Sequence, residues 1–486
     1  MFSRTYYCIR VNSLSVSKAM AETTVLKTIS QETFDGVVRE NLEEFEMPPE
    51  EALSDAIQQF KSQGVNINII IKEVPQDGKH KVISLILSLS DKVKDDNWEK
   101  DSTKLPLLEL ADELSQDLSK RYQACKATNV TDVLFRCCTM STEKSCHQLE
   151  SFKAFSALVN GQPDEATNEH IQFFISNLRE CQCASTAEVL CTIFMRISTM
   201  QEINRQALVK CGIINILMQS MEKFIDHVNV VRECCGALRA LTLDDDVRVP
   251  FGQSHEHSKL MVTEHDGLQR FVKALKEHHS DPTIAKEVTS TLSKLMVRNE
   301  YCQDFIDLQG FDVLKNMVIC HTKNSGVIKQ SIDLLQAISR NDDVKIYLMK
   351  NGVVDMLLPV LEKYIANPSI CESSFAALTT VSLRNPTHSK IIIDSKLSPI
   401  IVQAMKVHGK HAGVQRESCM LIRNLVARTR EYSPVFIDLG VEELIRSARK
   451  HHTSALDDQA KAALRDLDLD VDLKTPWVGA GHGVQR

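Results

Sequence analysis

Six short segments in the second half of this 486-residue chain share one form and recur at nearly constant spacing. They are Leu208-Val-Lys-Cys-Gly212, Val262-Thr-Glu-His-Asp-Gly267, Phe305-Ile-Asp-Leu-Gln-Gly310, Leu348-Met-Lys-Asn-Gly352, Ile392-Ile-Asp-Ser-Lys396 and Phe436-Ile-Asp-Leu-Gly440. Each is an apolar pair, a short polar step, a glycine (once a lysine) and then a new apolar helix. The junction residues lie 55, 43, 42, 44 and 44 residues apart. A period of about 40–47 residues marks a solenoid of helical units, each touching only its neighbours. Such a chain buries one continuous core and offers a long surface with no inherent catalytic pocket.

The last helix of each unit carries its own pattern. It reads Gly236-Ala-Leu-Arg-Ala-Leu241, Ser290-Thr-Leu-Ser-Lys-Leu295, Asp333-Leu-Leu-Gln-Ala-Ile338, Ala376-Ala-Leu-Thr-Thr-Val381, Met420-Leu-Ile-Arg-Asn-Leu425 and Ala462-Ala-Leu-Arg-Asp-Leu467. Helical periodicity sends the third and sixth places into the core and the first and fifth outward along one groove. At the junctions a side chain would clash or demand positive φ, hence glycine. Lys396 departs from this, so that junction is expected to be looser or differently bent. Two degraded units, Thr131–Gly161 and Asn168–Ser198, precede the clear ones, giving about eight in all.

Ahead of the repeats, Ser30 can cap a helix through Phe45, and Met47-Pro48-Pro49 ends it and starts another that closes at Gly64. The run Ile67–Ile71 fits either an extended segment or a last helical turn. Helices over 81–93 and 106–127 follow, with an exposed linker at 95–102. The expected organisation is an extension or alternative start over 1–21, an acidic helical region over 22–115, repeats over 116–470 and a flexible tail over 471–486. Residues 1–21 hold Arg4, Arg10 and Lys18 and no acid, as in a mitochondrial transit segment, or they precede an ordinary start at Met20.

Charge narrows the partners. Residues 1–115 hold 13 Lys/Arg against 20 Asp/Glu, and residues 116–486 hold 44 of each. A neutral solenoid lacks the footprint of nucleic-acid binding, and no apolar run reaches the roughly 18 residues of a membrane span. The 15 cysteines sit in helical patterns, as small core residues in a reducing cytoplasm or nucleus.

These helices resemble those of the armadillo-repeat family over about 350 residues, most specifically at Cys234-Cys-Gly-Ala-Leu-Arg-Ala-Leu and Glu417-Ser-Cys-Met-Leu-Ile-Arg-Asn-Leu. The stretch Gln31-Glu-Thr-Phe-Asp-Gly-Val-Val-Arg-Glu-Asn-Leu-Glu-Glu-Phe resembles the region preceding the repeats in one branch of that family. The resemblance implies an all-α, right-handed armadillo/HEAT-type superhelical solenoid with a helical N-terminal region, inside the cell and without enzymatic activity. Peptide-carrying armadillo proteins use a Trp-x-x-x-Asn pair in each third helix. Carried over, the Asn places are Arg196, Ala240, Lys294, Ala337, Thr380, Asn424 and Asp466, and only Asn424 matches. The Trp places are Thr192, Gly236, Ser290, Asp333, Ala376, Met420 and Ala462, and none matches; Trp98 and Trp477 lie outside the repeats. That argues against a transport receptor for cargo peptides. Arg196, Lys294, Arg423 and Arg465 are too scattered among Asp333 and Asp466 for a continuous basic groove.

The longest spacing contains an insertion, Asp244–Ser258, read as a mobile polar loop. Its His255-x-His257 resembles the substrate motif of protein-histidine methyltransferases; a metal site there would need more ligands, from His265 or Asp244–Asp246. Cys137-Cys138, Cys146-His147 and Cys181-x-Cys183 lack paired Cys-x-x-Cys spacing and fit helix packing better than zinc. No phosphate loop, nucleophile elbow or His-Glu-x-x-His is present. The sequence therefore describes a non-enzymatic, cofactor-free, monomeric interaction scaffold. Its candidate groove residues are Arg196, Arg239, Lys294, Asp333, Thr380, Arg423, Asn424 and Arg465. The N-terminal region and the 244–266 loop are further candidate contact surfaces.

Overall fold

The computed structural model describes residues 27–94, 103–143 and 146–471, without the side chains of 453–455. The readings of residues 1–21, the 95–102 linker with Trp98, and the tail beyond 471 with Trp477 fall outside these. Two compact units divide at Glu165/Ala166. Among the described residues no helix is long and apolar enough to cross a membrane.

The first unit opens with the helices Gln31–Glu43 and Pro49–Ser62. Ser30 accepts from the Thr33 N–H at 3.1 Å, and Pro49 stands at the first helical position, where no N–H is needed. Phe34, Val38, Ala56 and Phe60 close a small core with Ile67 and Ile70. The Ile67–Ile71 run is neither of the two forms expected of it but a turn, closed by the Ile70 N–H on the Ile67 carbonyl at 3.2 Å. Val65–Asn66 pairs in parallel with Lys27–Thr28, and the chain then turns. Gln31 holds that turn: its Nε2 donates to the Ile71 carbonyl at 3.0 Å and its Oε1 accepts the Ile71 N–H at 2.8 Å.

Lys81–Lys94 follows, but the expected helix over 106–127 is two, Lys104–Gln116 and Leu118–Ala127. Asp117 breaks it by adopting an extended backbone and capping the second piece through the Ser119 N–H, 3.0 Å away. An Asp side chain competes for local backbone donors and so favours a cap over a helix interior. Val130–Glu143 and Gln148–Leu158 complete the unit, the latter packed on Lys104–Gln116.

The second unit is an all-α solenoid of seven layers. Layer one has two helices, Asn168–Glu180 and Ala184–Ser198. The others have three each, ending in the third helices Val228–Ala240, Pro282–Leu295, Ser325–Ile338, Pro368–Ser382, Ala412–Val426 and Thr453–Asp466. Each third helix packs on the next, from layer one to layer seven. Leu238, Leu292, Leu335, Leu378, Ile422 and Leu464, at the third place of the pattern, are all fully buried. The starts of third helices are fixed chemically: Asp281, Asn324 and Asn367 each accept two backbone N–H groups. Each such cap is worth about 1 kcal/mol.

The junctions separate two roles for glycine. Gly212, Gly352 and Gly440 take φ of 80°, 82° and 78°, the left-handed region that a side chain disfavours. In two other layers that conformation falls on Asp266 (φ 51°) and Gln309 (φ 61°), one residue earlier. Gly267 and Gly310 then begin the helix, and their need is space. A Cβ on Gly267 would stand 2.5 Å from the Met261 carbonyl oxygen.

Lys396 does not loosen its junction, contrary to the sequence expectation. It has φ 69° and precedes Leu397–Val407 as glycine does elsewhere, so the bend is retained and the lysine bears the strain. Left-handed backbone costs a non-glycine residue about 1–2 kcal/mol, and glycine's extra chain entropy returns about half of that. Lys396→Gly is therefore expected to raise stability by up to about 1 kcal/mol, read as a higher melting temperature.

Candidate functional site

The third helices carry the candidate groove residues, and most of these are engaged within the protein. Arg239 reaches from layer two to layer three. Its Nη2 donates to Glu287 Oε2 at 2.6 Å, and its Nη1 donates to the Glu287 carbonyl at 2.9 Å and to Thr291 Oγ1 at 3.1 Å. Asp333 accepts from Lys329 on its own helix (2.6 Å) and from Ser373 in the next layer (2.9 Å). Arg423 and Arg465 converge on buried Asp466, at 3.3 Å and 2.9 Å. Asn424 donates to the Thr379 carbonyl of the preceding layer at 3.3 Å, and Thr380 bonds back to the Ala376 carbonyl at 2.9 Å.

Arg196 is half-buried on the layer-one helix. Lys294 is exposed and makes no ion pair among the described residues. Of the fifth-place residues expected to face outward, Ala240, Ala337 and Asp466 are buried. Adjacent third helices pack closely enough there to enclose small side chains and one carboxylate. Polar side chains on this face thus tie layer to layer.

The insertion is also different from its sequence reading. It is anchored, and the His-x-His is helical. Asp245 accepts from the Met200 N–H at 3.1 Å and from Arg205, Asp246 accepts from the Glu202 N–H at 3.0 Å, and Glu202 accepts from the Gln253 N–H at 2.7 Å. Arg248 closes the loop, donating to Asp246 at 2.8 Å and to the Met200 carbonyl at 2.9 Å. These bonds hold Asp246 well below the usual carboxylate range, the Arg248 guanidinium first and the Glu202 N–H next.

His255 and His257 lie in the helix Ser254–Thr263. His255 is exposed, whereas His257 is buried with Nδ1 2.9 Å from the Leu241 carbonyl. Two residues apart on a helix, the pair points to nearly opposite sides, so only His257 turns inward. Diethylpyrocarbonate is expected to modify His255 and spare His257 in the folded protein, as read by peptide mass mapping.

The described cysteines are free thiols, and most are buried. Burial pushes Cys137 and Cys419 up to about 12, which keeps them protonated and unreactive. Cys181 donates to the Cys183 carbonyl at 3.2 Å, a local turn contact. Among the described residues no three His, Cys, Asp or Glu side chains are grouped to hold a metal ion.

Sequence reading missed two features. Val247 and Phe251, on the anchored loop, are 92% and 89% exposed. Arg298, Arg340, Arg384 and Arg428 occupy the same turn, just past the third helix, in four successive layers; their spacings of 42, 44 and 44 match the junction spacings. That second periodicity was the available signal.

The ARMC6 family model matches residues 83–484, and the armadillo repeat-containing protein 6 N-terminal domain matches residues 26–101. This chain belongs to the armadillo repeat-containing protein 6 family. It is 38% identical over 387 residues to armadillo repeat-containing protein 6 of Homo sapiens, covering 76% of each chain. It is 32% identical over 382 residues to the Drosophila melanogaster homolog, covering 76% of this chain and 80% of that one. An engineered protein of solved structure shares the fold at a TM-score of 0.62 and 16% identity, over 91% of this chain and all of that one.

Proposed function

We propose that this chain is a non-enzymatic interaction scaffold that binds partner proteins on the third-helix face of its second unit. The observation that carries this reading is the unbroken stack of third helices through seven layers, cross-tied by Arg239–Glu287, Asp333–Ser373 and Arg423–Asp466. A rigid, extended face suits a long partner segment, because little ordering entropy is lost on binding. Carriage of basic cargo peptides is disfavoured, since Asn424, the one residue matching that ladder, is bonded to a neighbouring carbonyl. Free thiols suit a reducing cytoplasm or nucleus, and we take the protein to act as a monomer.

The anchored loop favours a second contact surface. Val247 and Phe251 stand in solvent on a fixed backbone, so a partner could bury them without first ordering the loop. The test is affinity capture on full-length protein read by quantitative mass spectrometry, with Lys294→Glu and Val247→Ser/Phe251→Ser variants alongside. Both variants alter exposed side chains and are expected to keep the wild-type melting temperature. Partners depleted by either variant support the corresponding surface; an unchanged partner set for both would refute the reading.

A further inference from the structure

Arg298, Arg340, Arg384 and Arg428 form a file along the edge of the third-helix face, one per layer from layer three to layer six. All four are exposed, and none makes an ion pair or side-chain hydrogen bond among the described residues. This contrasts with Arg239, Arg416 and Arg423 within third helices, each paired with a carboxylate. The turns that carry the file are held in place. Asn341, next to Arg340, caps the following helix through the Asp343 and Val344 N–H groups. Asn385, next to Arg384, does the same through Thr387 and His388.

Between layers five and six the file borders a cavity of about 220 Å³. Arg384, Arg423 and Arg428 line it together with Ser382, Ser389 and Asn424. Arg423 is held by Asp466, and Ser382, Ser389 and Asn424 donate to backbone carbonyls, so the two unpaired guanidinium groups of Arg384 and Arg428 are what make this a pocket for a carboxylate, which arginine can bind through two parallel bonds.

We infer that this arginine file is a track for an acidic linear peptide, with one carboxylate side chain per layer and its deepest seat in the cavity at Arg384 and Arg428. The inference rests on the scaffold reading above and names the partner's chemistry. Packed helices lie about 8–10 Å apart. An extended peptide advances about 3.3 Å per residue. The matching ligand therefore has an acidic residue at about every third position. A nucleic-acid strand fits less well: the repeats are charge-neutral overall, and a strand needs aromatic platforms for its bases, which the cavity lining lacks.

The test uses the full chain and fluorescence anisotropy at low and moderate salt. The probes are a labelled 13-residue peptide with Glu at every third position, its Gln counterpart, a peptide of equal charge with the Glu residues clustered, and a single-stranded RNA. The expected result is binding of the spaced Glu peptide, at least about tenfold weaker binding of the Gln peptide, and weaker binding of the clustered one. Arg384→Ala/Arg428→Ala should weaken the spaced peptide by about tenfold or more with unchanged circular dichroism. Equal binding of the Glu and Gln peptides, equal binding by the variant, or tighter binding of RNA would overturn the inference. Capture of cellular partners that survives Arg384→Ala/Arg428→Ala would remove the arginine track and leave the scaffold reading standing.

Discussion

Replacing Arg205 with methionine is expected to destabilise the second unit by about 3–5 kcal/mol. Arg205 is fully buried. Its Nε donates to Glu202 at 2.7 Å, and its Nη1 donates to Asp245 at 2.5 Å and to the Ser198 carbonyl at 2.9 Å. Methionine fills much of the volume but leaves Glu202, 1% exposed, as a buried carboxylate without its cation. The anchor of the inserted loop goes with it, because Glu202 also receives the Gln253 N–H and Asp245 holds Met200. Adding Glu202→Gln to Arg205→Met should recover part of the loss, since a neutral amide is cheaper to bury than an unpaired charge. Chemical denaturation of the three proteins checks this; a loss under about 1 kcal/mol for Arg205→Met would contradict it.

The same cluster gives a pH dependence. Burial raises the Glu202 carboxyl, but bonds from Gln206, Arg205 and the Gln253 N–H outweigh it and leave it below its ordinary value of 4.5. A carboxyl depressed on folding contributes stability that is complete above its unfolded value. That stability is lost as pH falls through the folded value. The wild-type protein therefore weakens in acid, and its advantage over Arg205→Met narrows below about pH 4.5.

Gly310→Ala is expected to cost about 3 kcal/mol. The added Cβ would stand 2.4 Å from two ring carbons of Phe305, and that ring is itself buried and has no room to withdraw. Gly440→Ala meets open space, and its cost is only that of φ 78°, about 1–2 kcal/mol. Gln309→Gly would ease the left-handed residue beside Gly310 without making space, so it should not rescue Gly310→Ala. Thermal melts of these variants separate the steric role from the conformational one. Equal losses at positions 310 and 440 would show the distinction to be wrong.

The fold was legible because repetition amplifies weak signals. One junction such as Phe305–Gly310 says little, whereas six at 42–55 residue spacing fix both the helical unit and its core places. Local competition was not legible. Asp117 as a cap in mid-helix and Lys396 in a glycine conformation each depend on which neighbour claims a backbone group or how much strain the packing bears. The candidate site was less readable still. Arg239 and Arg423 look like groove cations in sequence, but their partners Glu287 and Asp466 are more than 40 residues away. The unpaired arginines lie two or three residues past the helix pattern, where periodicity of the core residues does not reach.

The most direct test of the scaffold reading is site-specific photo-crosslinking in cells. A benzophenone side chain would be placed at exposed third-helix positions Arg232, Lys286 and Lys294, and at exposed second-helix positions Gln219, Lys273 and Gln403. Crosslinks to partner proteins from the third-helix positions, with none from the second-helix positions, are the expected result. Crosslinks confined to the second helices would contradict it and place recognition on the other side of the layers.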